Sequence, residues 1–130
     1  MSKIQYSVQV RLVSDLAASK EFYEKVLGCE VNDFWAVRDE FALGFKLLQA
    51  AEPGDVQPNQ KGKDQATAWD TYAYMDTHGD LDRLYEELKA GGAHFIQEPV
   101  LTEAEWGAWK EFAVADPDHY SIGFGSGKRN

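Results

Sequence analysis

The chain has 130 residues, 44% of them hydrophobic and 27% charged, a balance that suits one self-supporting core and points away from a disordered chain or a membrane protein. No apolar run approaches the ~18–20 residues needed to span a bilayer, and the single cysteine, Cys29, excludes an intrachain disulfide. A formal net charge of −9, from 22 acidic and 13 basic residues, repels phosphate backbones and so argues against a nucleic-acid partner, while serving solubility and mildly favouring cationic ligands.

Met1-Ser2-Lys3-Ile4 enters a strand without a secretory apolar stretch, so the cytoplasm is the expected location. From Ile4 to Leu12 the even positions are apolar (Ile4, Tyr6, Val8, Val10, Leu12) and the odd ones polar (Gln5, Ser7, Gln9, Arg11), the period-two mark of a half-buried strand. Ser14 and Asp15 offer capping oxygens, and Leu16, Phe22, Tyr23, Val26 and Leu27 then follow helical spacing up to Gly28. Cys29, just beyond that glycine, reads as a packing residue. Glu30 to Gln49 is rich in aromatic and β-favouring residues interrupted by Arg38-Asp39-Glu40, which predicts strands at about 30–33, 34–38 and 41–49. Ala51 to Gln65 has no periodicity and carries Pro53-Gly54 and Pro58-Asn59, the composition of a linker.

The same device then returns. Tyr72 to Met75 reads as a strand, Asp80 as a helix cap, and Leu81, Leu84, Tyr85 and Leu88 as an apolar stripe ended by Gly91-Gly92. A strand at His94 to Gln97 is expected to stop at Pro99, with Thr102 to Trp106 as a loop or one helical turn. Trp109 to Ala115 and Tyr120 to Phe124 alternate as closing strands around the turn Asp116-Pro117-Asp118-His119. Asp15 to Asp80 is 65 residues, half of the chain, so the order β-α-β-β-β is duplicated. The expected layout is one domain over 1–130, with module one at 1–50, a linker at 51–66 and module two at 67–130.

Val13-Ser14-Asp15-Leu16 with Phe22-Tyr23 and Val26-Leu27-Gly28, then Leu84-Tyr85-Glu86-Glu87-Leu88-Lys89-Ala90-Gly91-Gly92, Trp106-Gly107, Glu111-Phe112 and Asp116-Pro117-Asp118, resemble the vicinal oxygen chelate superfamily. That superfamily includes glyoxalases, extradiol dioxygenases and bleomycin-resistance proteins. The resemblance implies an α+β fold of two β-α-β-β-β modules, with curled mixed sheets forming a cup, helices outside and ligand inside. It also implies a homodimer.

In the enzymes of the superfamily a divalent metal is held by histidine or glutamine on the first strand of a module and glutamate on the last. By that resemblance the positions fall here at Ser7 or Val8, at Phe45 or Lys46, between Trp69 and Thr71, and at Gly123. Only Asp70 among them could donate to a metal, and one carboxylate does not make a site. No cofactor is therefore expected. His78, His94 and His119 read as structural, His119 standing where the family usually has glycine.

Alternation suggests that Ser7, Gln9 and Arg11 face the cup if Val8, Val10 and Leu12 pack beneath the helix, and that Trp109, Glu111, Ser121 and Gly123 face inward in module two. Arg11 and Glu111 are then candidates to pair with each other or with a ligand. Trp35, beside a turn, and Trp106, next to Gly107, are placed to stack on flat or cationic ligands, and Gly123 is expected to widen the cup. The preferred reading is a metal-free small-molecule binder that sequesters an antibiotic or other aromatic compound. The alternatives are a lyase or dioxygenase with an unorthodox metal site including Asp70 and Glu111, a metal-free isomerase with Glu111 as general base, and a cup packed shut.

Overall fold

Two side chains decide where the first helix starts. The Asp15 carboxylate accepts the Ala18 N–H at 3.1 Å, which makes Asp15 the cap of α1, Leu16–Lys25. The Gln49 amide ties the corner from the other side, accepting the Leu16 N–H at 2.9 Å and donating to the Ser14 carbonyl at 2.8 Å. At the far end Gly28 takes φ 75°, the left-handed conformation that lets the Cys29 N–H reach the Tyr23 carbonyl at 2.8 Å. Burial pushes the Cys29 thiol up to about 12, against a lowering by Arg38 and with a smaller rise from Asp39, so it is inert packing.

The computed structural model describes residues 1–129. It divides into two compact units, Met1–Gln57 and the chain from Pro58 onward. The first carries β1 (Gln9–Val13), α1, β2 (Glu30–Asn32), β3 (Trp35–Arg38) and β4 (Leu43–Gln49). Its open sheet has the order β1-β4-β3-β2, with β1 parallel to β4 and the other pairs antiparallel. Tyr23 of α1 is fully buried against Phe45, ring centroids 4.8 Å apart, with Val13, Leu27, Ala36 and Leu47 around them.

The first strand begins at Gln9, not at Ile4. Gln9 pairs with Phe45 and β4 starts only two residues earlier, at Leu43, so a strand from Ile4 would run past the end of its partner. Its faces are also opposite to those expected. Gln9 and Arg11 share a face with their register partners Phe45 and Leu47, the helix side, and Arg11 is 7% exposed with its guanidinium 5.8 Å from the Phe45 ring. Val10 is 56% exposed on the helix-free side. Arg11 is the exception to the apolar-in pattern, its guanidinium lying over an aromatic ring.

The second unit repeats the order as β5 (Thr71–Tyr74), α2 (His78–Ala90), β6 (His94–Ala104), β7 (Gly107–Ala115) and β8 (Ser121–Ser126). Its sheet, β5-β8-β7-β6, is again mixed and open, with β5 parallel to β8. The architecture is α+β, two four-stranded mixed sheets each with one α-helix. Leu81, Leu84 and Leu88 are buried as α2 packs on β7 and β8, above a core of Phe112, Val114, Ile122 and Phe124.

Three local expectations fail for physical reasons. Thr77, not Asp80, caps α2: its hydroxyl accepts the Asp80 N–H at 3.1 Å, while Asp80 sits in the first turn paired with Arg83. Pro99 does not stop β6, because it falls in the register shift between Gln97 and Val100 on an edge strand, where a missing N–H disturbs little. Thr102–Ala104 therefore continue the strand. His78 is the first residue of α2 and buried, its Nε2 3.1 Å from both the Ala108 and Ser126 carbonyls. His119 takes φ 70° in the β7–β8 turn, a glycine-like conformation held by the Asp116 carboxylate, which accepts the Asp118 and Tyr120 N–H groups at 2.8 and 2.9 Å.

Thr77→Ala is expected to cost about 1 kcal/mol, the usual loss of a capping hydroxyl, read as a lower urea midpoint with an unchanged slope. No loss would mean that Asp80 does the capping.

Candidate functional site

In the second unit the helix-free face is built on β8, where Gly123 and Gly125 alternate with the core residues Ile122 and Phe124. These glycines do not widen a cavity. A Cβ on Gly123 would overlap the Trp69 and Tyr72 rings, and one on Gly125 would overlap the Tyr72 hydroxyl and the Trp109 indole. The aromatic side chains lie flat on bare backbone, Trp69 edge-on to Tyr72 at 5.0 Å and Tyr72 stacked near Trp109 at 6.4 Å.

Glu111 stands among these rings with both oxygens engaged. Its Oε1 accepts from the Tyr72 hydroxyl at 2.6 Å and the Trp109 Nε1–H at 2.9 Å, and its Oε2 accepts from the Gln97 amide at 3.1 Å. Gln97 is oriented in turn by the Thr67 hydroxyl, 3.1 Å from its Oε1. Partial burial works against the carboxylate's charge, but donation from Tyr72, Gln97 and Trp109 prevails and holds Glu111 below the usual glutamate range. Burial and then the bond to Glu111 push the Tyr72 hydroxyl up. A general base needs the opposite shift, so this Glu111 is an anchor for rings.

Asp70 is engaged as a clasp. Its Oδ1 accepts the Asn59 N–H at 2.6 Å, its Oδ2 accepts the Ser121 N–H at 2.8 Å, and its own N–H donates to the Ser121 hydroxyl at 2.9 Å. Among the described residues no three His, Cys, Asp or Glu side chains converge. The positions at which the resemblance places metal donors carry Ser7 or Val8, Phe45 or Lys46, the clasped Asp70 and side-chain-free Gly123. This donor set, with an ammonium and one committed carboxylate, does not fit a divalent ion. Trp106 is 64% exposed in the β6–β7 turn and stays outside the Glu111 network.

The first unit offers a different surface. On its helix-free face Trp35 pairs in register with Lys46, whose ammonium lies 5.9 Å from the Trp35 ring and 5.4 Å from Phe34. Beside Trp35 is a cavity of about 410 Å³ lined by Tyr6, Glu30, Asn32, Trp35, Val37 and Phe41 among others. Its wall is a stack, Tyr6 on Phe41, with centroids 4.1 Å apart and planes at 18°. Phe41 is held there by an unusual turn in which Asp39, Glu40 and Phe41 all take positive φ, at 53°, 57° and 72°. None is glycine, and each costs of order 1 kcal/mol. Arg38 braces the turn, donating to the Leu27 carbonyl at 2.9 Å and to Asp39 at 3.2 Å.

Of the candidates named from sequence, Trp109, Glu111 and Gly123 come together in the second unit and Trp35 lines the cavity of the first. Ser7 and Gln9 are exposed, and Arg11 is buried on the helix side. Sequence reasoning missed Tyr72 and Gln97 as partners of Glu111, and Tyr6, Glu30, Asn32 and Phe41 around the cavity. The alternation of Tyr72 with Tyr74 opposite a Gly-x-Gly strand was the available signal for Tyr72. Nothing in sequence announces a three-residue left-handed turn.

Gly123→Ala is expected to cost about 1–3 kcal/mol, as a methyl forced into a filled space, and to red-shift tryptophan emission as Trp69 is displaced. A second outcome concerns pH. A carboxylate whose folded pKa is lowered contributes stability that is fully present above its unfolded value, about 4.3, and lost as pH falls through the folded value. The stability difference between the wild type and Glu111→Gln is therefore expected to be constant near neutrality and to shrink below about pH 4.3, measured by urea titration at each pH.

A family model described as the Glyoxalase/Bleomycin resistance protein/Dioxygenase superfamily matches residues 6–124. Among solved structures, a glyoxalase/bleomycin resistance protein/dioxygenase from Alicyclobacillus acidocaldarius is 16% identical over 94% of this chain and 90% of its own, with a TM-score of 0.70. An integron cassette protein from the mobile metagenome of V. cholerae is 21% identical over 97% of both chains, with a TM-score of 0.62. A virulence protein from Salmonella typhimurium is 21% identical over 97% of this chain and 98% of its own, with a TM-score of 0.61. These likenesses concern the fold. No curated protein matches the sequence. With the family model spanning both β-α-β-β-β units, the chain belongs to the glyoxalase/bleomycin resistance protein/dioxygenase superfamily.

Proposed function

We propose that this chain is a metal-free small-molecule-binding protein of the glyoxalase/bleomycin-resistance type, which holds an antibiotic or other aromatic compound. The observation that carries the reading is the ring-walled cavity beside Trp35. At about 410 Å³ it falls in the range of small-molecule sites, roughly 300–1,000 Å³, and Tyr6, Trp35 and Phe41 give it faces on which a flat ligand can stack. Two further features support it. The donor set at the family's metal positions is unsuited to a divalent ion, and Glu111 is committed as an acceptor rather than poised as a base. The reading includes a homodimer and a cytoplasmic location, in keeping with the family's habit of pairing and with the acidic composition.

The test is a thermal-shift screen of the protein, purified without chelator, against aromatic antibiotics, thiol conjugates and catechols. A ligand bound at 100 times its dissociation constant adds about 2.7 kcal/mol of stability, a rise of several degrees in Tm. Binding is expected to be unaffected by EDTA. About one equivalent of tightly held metal per chain by elemental analysis, or a shift that chelator abolishes, would overturn the metal-free reading in favour of the enzyme.

A further inference from the structure

We infer that the cavity of the first unit selects its ligand by charge: it takes an aromatic ring carrying a cationic, hydrogen-bond-donating substituent of the amidinium or ammonium class, with Glu30 and Asn32 as the selecting residues. This rests on the binder reading above and adds the polarity of what is bound.

The cavity lining mixes two kinds of side chain. Tyr6, Val31, Trp35, Val37 and Phe41 are apolar or aromatic, and Glu30 and Asn32 are polar. Register explains why these meet. Glu30 pairs with Val37 and Asn32 with Trp35 across β2 and β3, so the carboxylate, the amide and the indole emerge on one face within a two-residue step along the strands. Neither Glu30 nor Asn32 makes a side-chain hydrogen bond or ion pair within the described residues. Their acceptor oxygens are therefore available to a ligand. The contrast with Glu111, whose oxygens are both taken by protein donors, is sharp.

The turn at Asp39–Phe41 is the second observation. Three consecutive non-glycine residues in the left-handed region store strain, and strain is retained where the surrounding structure holds a geometry in place. What this turn holds is the Phe41 ring, stacked on Tyr6 and facing the cavity. A carboxylate beside aromatic faces favours a cation twice over, by charge-assisted hydrogen bonding and by the ring quadrupoles. Lys46 is the opposing consideration, since its ammonium lies near the same indole. It does not line the cavity, whereas Glu30 does.

Benzamidinium, benzamide and benzoate share one ring and differ in charge, which makes them suitable probes. Each is titrated into ¹⁵N-labelled protein while the indole N–H resonances are followed, Trp35 being assigned through Trp35→Phe. Benzamidinium is expected to shift Trp35 and to bind roughly fivefold or more tightly than the other two. Glu30→Gln, a change at an exposed position, is expected to erase that preference by weakening benzamidinium the most, and Phe41→Ala to weaken all three. Benzoate binding as tightly as benzamidinium, or a Glu30→Gln variant that keeps the preference, overturns the inference. If aromatic antibiotics stabilise the protein while no probe moves Trp35, the inference fails and the binder reading stands. If neither occurs, both fail.

Discussion

Which face of each sheet its helix covers is the constraint from which everything else in this protein follows. A helix can bury only one side of a four-stranded sheet, and here α1 settles on Phe45 through Tyr23 while α2 settles through Leu81, Leu84 and Leu88. Side-chain alternation then sends the intervening residues to the opposite face. Lys46, Trp35 and the cavity lining in one unit, and Tyr72, Trp109 and Glu111 in the other, are where they are because their neighbours were claimed by the core.

The two helix-free faces are furnished in different ways. In the second unit, glycines at alternate positions of β8 let aromatic rings lie against the backbone, and Glu111 fastens them through Tyr72 and Trp109. Such a carboxylate is stabilised in its charged form by its three donors, the opposite of the raised pKa a general base needs. The first unit instead keeps a cavity open, holding Phe41 aside by a braced left-handed turn and leaving the Glu30 and Asn32 side chains without a hydrogen bond among the described residues. A filled face is suited to stability, and an open one with free acceptors is suited to binding.

Much of the fold was legible because local chemistry and tertiary packing agree. Asp15 caps as its position before an apolar stripe suggests, Gly28 ends the helix turn in the left-handed region, and Asp116 organises the turn before β8. Where the two disagree, packing prevailed. Asp80 is as good a cap by type as Thr77, but the helix begins three residues earlier because His78 is drawn into the core against two carbonyls. Pro99 breaks strands in general, yet an edge strand with a register shift absorbs it.

By itself the sequence determined the duplicated β-α-β-β-β order, the cap at Asp15, the turn at Asp116 and the family, since all of these depend on residue type and spacing. Only the tertiary structure decided which side of β1 is inside, that Gly123 is filled by Trp69 and Tyr72, that Glu111 and Asp70 are already committed, and that Glu30 and Phe41 share a cavity. The physical reason is that period-two alternation defines two faces without labelling them. Arg11 shows this most directly: alternation reads it as facing the cup, but the structure buries it on the helix side with its guanidinium over the Phe45 ring.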